Sequence, residues 1–178
     1  PAVYFIFFEY SDSPFGERVL LSLFQSVSPR TAGFNTSDLT KLTDTGIALM
    51  IVLMLIGGAS GSTAGGMKVT TFAILLASAG SVFYRKKNVT LLKRRITDDT
   101  VKNAAAIAVM YITLFLLVGM TISTIESLPL KDCLFESASA AATVGLSLGI
   151  TPSLSVISKL LLIGLMYAGR VGGLTLIY

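Results

Sequence analysis

Two short segments, Thr31-Ala32-Gly33-Phe34-Asn35 and Thr143-Val144-Gly145-Leu146, carry the residue types best suited to chemistry in this chain. A Thr-x-Gly turn can present backbone carbonyls that replace the water around a dehydrated alkali cation. Glycine is needed where a carbonyl must turn without a Cβ in the way. The expected ligands are the carbonyls of Thr31, Ala32, Gly33, Thr143, Val144 and Gly145. One such turn means little; its recurrence gives it weight. Thr143 follows Thr31 by 112 residues, and the same shift carries Leu49 onto Leu161, Met54 onto Met166 and Gly57 onto Gly169. The preceding segments, 24–28 and 135–139, match at a shift of 111, so one residue was gained or lost just before the glycine turns. Internal repeats of this kind are a signature of membrane transport proteins.

Other chemistry finds little support. The sequence has no His and a single Cys133, which removes Ser-His and Cys-His nucleophiles and the usual zinc or haem ligand sets. No acidic pair stands inside an apolar stretch, which argues against a membrane enzyme and favours carbonyls over carboxylates as ion ligands. Neither an organic cofactor nor catalytic residues are expected.

The elements that must position the turns follow from composition. Charged residues make up 13% of the chain, about half the share in soluble domains, so this reads as an all-α membrane protein. Stretches 104–125 and 154–178 supply the roughly 20 residues needed to cross a bilayer. Residues 18–28 and 133–142 are helical in pattern but too short to cross, each reaching about 16 Å. Each is read as a re-entrant half-helix whose C-terminal, negative end faces the turn and so favours a cation. Non-helical backbone at that depth is tolerated only when buried in protein or lining a wet cavity. Seven of the fourteen Lys/Arg lie between 85 and 102, which places that loop in the cytoplasm by the positive-inside rule and outweighs a nucleic-acid reading. Residues 88–99 read as a short interfacial helix facing lipid headgroups.

Residues 39–84 would form a helix of roughly 68 Å, more than twice the membrane core. The break is expected at Gly57-Gly58-Ala59-Ser60-Gly61-Ser62-Thr63-Ala64-Gly65-Gly66, whose five glycines cannot hold a helix interior. Two plainer readings compete there. G-x-x-x-G spacings also serve helix packing. A nucleotide P-loop is nearly matched, but Met67 intervenes before Lys68 and Val69 stands where Ser or Thr is required. Arg170, well inside an apolar run, is costly there and points to a cavity or a partner; the shift places it opposite Gly58. The bland alternative is snorkelling to the interface, the reading preferred for Lys159.

Taken together, Ser28-Pro29-Arg30-Thr31-Ala32-Gly33-Phe34-Asn35-Thr36, the 56–68 loop, Ala142-Thr143-Val144-Gly145-Leu146-Ser147 and Ala168-Gly169-Arg170-Val171-Gly172 resemble the Trk/Ktr/HKT superfamily of cation transporters, most closely its bacterial KtrB-type membrane subunits. The resemblance implies potassium-channel-like units of helix, re-entrant pore loop and helix, four per chain around one pore. Residues 1–84 would be the third unit, with its first helix truncated and its second broken at 57–66. Residues 85–102 would be a basic cytoplasmic loop, and 103–178 the fourth unit with its last helix truncated. Both ends look cut, and no signal peptide is visible at the start. Gly33 and Gly145 become filter glycines, the filter comprising Thr31 to Asn35 and Thr143 to Leu146. Residues 57–66 become an intramembrane gate, with Lys68 and Arg170 holding it. The implied cargo is potassium, with sodium as the alternative. The implied partners are the two remaining pore units, a second copy of the chain, a cytosolic nucleotide-binding regulatory subunit and membrane lipid, not nucleic acid. The implied place is a plasma membrane, as a multi-pass protein of a bacterial inner membrane. A purely structural helix bundle is the bland rival.

Overall fold

Each half of the chain folds as helix, half-length helix, turn and helix, in the order the repeat dictates. The computed structural model describes residues 1–11, 13–59, 61–62, 65–85, 88–91 and 94–171. In the first half, α1 (Ala2–Tyr4) runs into a π-helical turn (Phe5–Glu9) and is followed by α2 (Phe15–Val27), α3 (Asp44–Leu55) and α4 (Val69–Phe83). In the second, α5 (Asp98–Glu126) leads to α6 (Leu130–Ala141) and α7 (Val156–Val171).

The half-helices α2 and α6 are a little longer than the sequence pattern suggests. Each starts three residues early because a proline, Pro14 or Pro129, stands at its N-cap and sets the backbone for a first turn. With 13 and 12 residues they reach about 18–20 Å, still well short of a bilayer core. Helix α5 starts six residues before the expected stretch, because Asp98 and Asp99 suit the positive end of a helix dipole. It is the one helix among the described residues long and apolar enough to cross a membrane; α3 and α4 are shorter apolar helices. Of the expected 154–178 span, helix is described over Val156–Val171, and Gly172 to Tyr178 lie outside the described residues.

Among the described residues, 88–91 and 94–97 form no helix. Thr90 pairs with Arg95 and Leu91 with Arg94 as antiparallel strands β1 (Thr90–Leu91) and β2 (Arg94–Arg95), closed by Ile96 N–H donating to Val89 O at 2.9 Å. The β-branched Val89, Thr90, Ile96 and Thr97 favour extended backbone, and this outweighs the weak helical pattern. Lys86, Lys87 and Lys93 of the basic run lie outside the described residues.

The core centres on α6, where Cys133 and every residue from Phe135 to Ala142 are buried. Small side chains at Ser137, Ala138, Ser139, Ala140, Ala141 and Ala142 let α3, α5 and α7 close around it. Between membrane helices such close approach, not water expulsion, supplies the packing energy. Phe5, Met50, Met54, Phe115 and Ile122 fill the remaining space.

The second helix of each unit is held at its start by a glutamate from the end of the first. Glu9 accepts from Thr43 N at 3.0 Å and Thr43 Oγ1 at 2.5 Å; Glu126 accepts from Ser155 N at 2.9 Å and Ser158 Oγ at 2.5 Å. These bonds satisfy N–H groups that a helix leaves unpaired at its start. Replacing Glu126 with Ala is expected to cost about 1 kcal/mol, the usual size of a lost cap. A lower thermal unfolding midpoint in detergent, with Glu126→Gln losing less, checks it.

Candidate ion filter and gate

The two Thr-x-Gly turns share an uncommon backbone. Thr31 and Thr143 have φ of +65° and +53°, while Gly33 and Gly145 have +71° and +90°. Left-handed backbone is costly for L-residues and a true outlier for β-branched threonine. Its appearance at the same two positions of both units marks strain held in place by the surroundings, which clusters at functional sites. Part of the holding is visible. Gly33 N–H donates to Ser28 O at 3.1 Å and Val144 N–H to Ser139 O at 2.9 Å, each reaching back five residues onto the end of its half-helix.

The turns lie against one another. A Cβ built on Gly33 would stand 2.1 Å from the carbonyl oxygen of Val144 and 4.0 Å from Gly145 Cα. Ala32 and Gly145 are exposed, Thr31, Gly33 and Thr143 half-buried and Val144 buried, so the first turn lies open while the second is partly seated in the core. Phe34 turns its carbonyl back to the Ser28 hydroxyl, and its side chain, like that of Asn35, is exposed. Leu146 is buried in the core. Beyond Asn35, Asp38 caps a 3-10 turn (Leu39–Lys41) by accepting from Thr40 Oγ1 at 2.6 Å and Thr40 N at 3.1 Å. The Thr40 hydroxyl bond, then the backbone one, hold the Asp38 carboxyl below the usual carboxylate pKa.

The glycine segment leaves α3 and returns to α4 by a pinched neck. Gly57 N–H donates to Met67 O at 2.8 Å and Val69 N–H to Gly58 O at 3.2 Å, so the two ends of the excursion meet. Inside it, Ala59 O accepts from Ser62 N at 3.1 Å and Ser62 Oγ at 2.7 Å, Gly61 takes φ +89°, and Lys68 Nζ donates to Ser62 O at 3.0 Å. Ser60, Thr63 and Ala64 lie outside the described residues. The far side of the loop reaches the second Thr-x-Gly turn, where Gly65 N–H donates to Thr143 Oγ1 at 3.0 Å. Next to it, Gly66 N–H donates at 3.3 Å to Gly169 O on α7, which also accepts from Tyr111 Oη at 3.3 Å.

At the positions that match Gly57 to Ala59, residues 169–171, α7 stays helical. Gly169 sits directly on the end of α6, where a Cβ would come within 2.1 Å of Ala141 O. Arg170 is exposed and borders a cleft of about 660 Å³ that Thr143, Gly145, Glu136, Ser147 and Thr151 also line. Lys159 donates to Pro152 O at 2.9 Å, in the turn that precedes α7.

Three carboxylates that hold this arrangement together escaped the sequence reading. Glu9 and Glu126 stand 117 residues apart, off the 112 register, because the turns after them differ in length. Glu136 was visible only as a member of the 135–139 segment; its contacts are with residues 147 to 151.

Comparison with known proteins adds the family. Residues 10–178 match the family described as TrkH, cation transport protein. The chain belongs to that family. TrkH-family proteins are membrane-embedded cation transporters and not enzymes, so the reading of this chain as a membrane protein stands. Among curated relatives, the chain is 40% identical over 168 residues to the potassium/sodium uptake protein NtpJ of Enterococcus hirae, covering 92% of this chain and 37% of that protein. It is 42% identical over 163 residues to the Ktr system potassium uptake protein B of Vibrio alginolyticus, covering 92% and 36%. It therefore spans about a third of the length of the curated relatives it matches. The fold matches the crystal structure of the potassium transporter TrkH from Vibrio parahaemolyticus with a TM-score of 0.80 at 21% identity, over 99% of this chain and 40% of that one.

Proposed function

We propose that this chain supplies two walls of a cation-conducting pore that carries potassium, or potassium and sodium, across the membrane. The observation that carries the proposal is the pair of strained Thr-x-Gly turns in contact, each at the end of a half-length helix. Strain repeated in register has no use in a helix bundle that only packs; it does have one where carbonyls must replace an ion's water. The ligands are the carbonyls of Thr31, Ala32, Gly33, Thr143, Val144 and Gly145. Relatives named as potassium or potassium/sodium uptake proteins support the choice of cargo. The domain plan is the third unit over 1–84, the basic loop over 85–102 and the fourth unit over 103–178. The remaining walls come from two further units of the same longer chain.

The glycine segment is read as a gate lying beneath the filter, since its backbone touches Thr143 on one side and α7 on the other. Lys68, bonded to the Ser62 carbonyl, and Arg170, at the edge of the filter cleft, favour the closed position. A second copy of the chain and a cytosolic nucleotide-binding subunit are proposed partners, with the basic hairpin as one surface for the latter. The proposed location is a bacterial inner membrane, crossed several times.

The test is cation flux into proteoliposomes from the full-length protein. Potassium uptake that sodium competes with weakly is expected, and no flux from a folded protein sinks the reading. Arg170→Gln is expected to raise flux several-fold by removing a positive charge beside the path. Unchanged flux in that variant, with normal folding, removes Arg170 from the gate.

A further inference from the structure

Glu136 is 5% exposed on α6, and its buried carboxylate spends its acceptors on the strand that leaves the second filter turn. Oε1 accepts from Ser147 Oγ at 2.6 Å and from Leu148 N at 3.0 Å; Oε2 accepts from Thr151 Oγ1 at 2.8 Å. Ser147 Oγ in turn accepts from Gly149 N at 2.9 Å. Three donors on one charged group make the stronger kind of hydrogen bond. A buried carboxylate without them would be costly.

Among the described residues, the first unit shows no such brace. Gln25 stands at the matching position, 111 residues earlier, is 1% exposed, and donates its amide to Met50 Sδ at 3.0 Å on α3 instead. The two filter turns are therefore mounted differently.

We infer that Glu136 is a positioning residue for ion selection: by fixing residues 147–151 to α6 it holds the backbone that follows Gly145 at the spacing a dehydrated potassium ion requires. A carbonyl site discriminates between ions only if its oxygens keep their places. Gly145 has open space where a Cβ would stand, so the turn needs a hold from the strand behind it. The inference rests on the proposed conduction through these turns and names what keeps one of them selective.

Substitutions at position 136 separate geometry from charge. Glutamine at 136 keeps an oxygen for Ser147 and Leu148, while the Thr151 hydroxyl turns to accept from the new amide. The mount survives and the charge is lost. Alanine removes the mount altogether.

The experiment is rubidium uptake with sodium competition in proteoliposomes of the full-length protein, for wild type, Glu136→Gln, Glu136→Ala, the pair Ser147→Ala with Thr151→Val, and Gln25→Ala. Glu136→Ala and the pair are expected to lose potassium-over-sodium discrimination about tenfold, the scale of lost charge-assisted bonds. Glu136→Gln is expected to stay within about twofold of wild type, and Gln25→Ala to match it. Retained discrimination in a folded Glu136→Ala, or in the pair if Glu136→Ala does not fold, overturns the inference. So does Glu136→Gln as damaged as alanine, which would make charge the cause, or an equal loss in Gln25→Ala. Wild type that carries no cation at all sinks the transport reading itself, a result distinct from each of these.

Discussion

Full-length protein carrying Gly33→Ala is expected to lose selective cation uptake, and to lose far more of it than protein carrying Gly145→Ala. Both glycines are left-handed, so alanine at either costs about 1–2 kcal/mol of backbone strain. Their surroundings differ. At Gly33 the added carbon would stand 2.1 Å from the Val144 carbonyl oxygen and 3.3 Å from its carbon, whereas nothing lies within 4 Å at Gly145. The atoms met are backbone on both sides, with no flexible side chain to swing away. Each backbone is tethered to its half-helix, Gly33 through Ser28 and Val144 through Ser139. Overpacking of this kind adds about 1–3 kcal/mol. The collision also falls on an oxygen proposed to hold the ion, so relief by movement spoils the site. Uptake with sodium competition, alongside a melting curve, distinguishes a spoiled filter from a misfolded protein. Gly33→Ala that is as selective as Gly145→Ala would remove Val144 O from the filter.

The register of the repeat was legible because it is written in residues that backbone geometry demands. Thr31 with Gly33 and Thr143 with Gly145 recur where left-handed backbone recurs, and few residues serve there. The half-helices were legible from apolar runs too short to cross a bilayer. The helix break near Gly57 was legible from its five glycines. What joins the elements was not. Glu126 reaches Ser155 and Ser158 across 29 and 32 residues, and Glu136 reaches Thr151 across 15. Such bonds depend on where a chain returns, which periodicity does not encode. The paired strands at 90–91 and 94–95 were not legible as such: the seven cations between 85 and 102 carry no backbone preference of their own, and the β-branched residues beside them set the backbone. The excursion's contact with Thr143 was beyond reach for the same reason as the glutamates: Gly65 and Thr143 lie 78 residues apart.

That contact leads to the second large effect, the proposed gate forced open by one methyl group. In Gly65→Ala the new carbon would lie 2.3 Å from Thr143 Oγ1, 2.5 Å from its Cγ2 and 2.9 Å from its Cβ. Thr143 has little freedom to yield, since its strained backbone is tied to Ala140 O at 3.1 Å and its side chain is β-branched. The loop is the softer partner, held on this side by single bonds from Gly65 and Gly66. Alanine at 65 is therefore expected to push the loop away from the filter and raise flux several-fold, as displacing an order-dependent obstruction should. Thr143→Gly empties the space and suits the φ of +53°, at the loss of one hydrogen bond. Residues in direct contact couple by roughly 0.5–3 kcal/mol, so the double variant should lie closer to wild type than the sum of the two single changes. A loop that only packs predicts another pattern: Gly65→Ala would lower the melting temperature and leave flux unchanged or reduced. The sign of the flux change in the single variant decides between an obstruction and a spacer, and the double variant decides whether Thr143 is the residue it is pressed against.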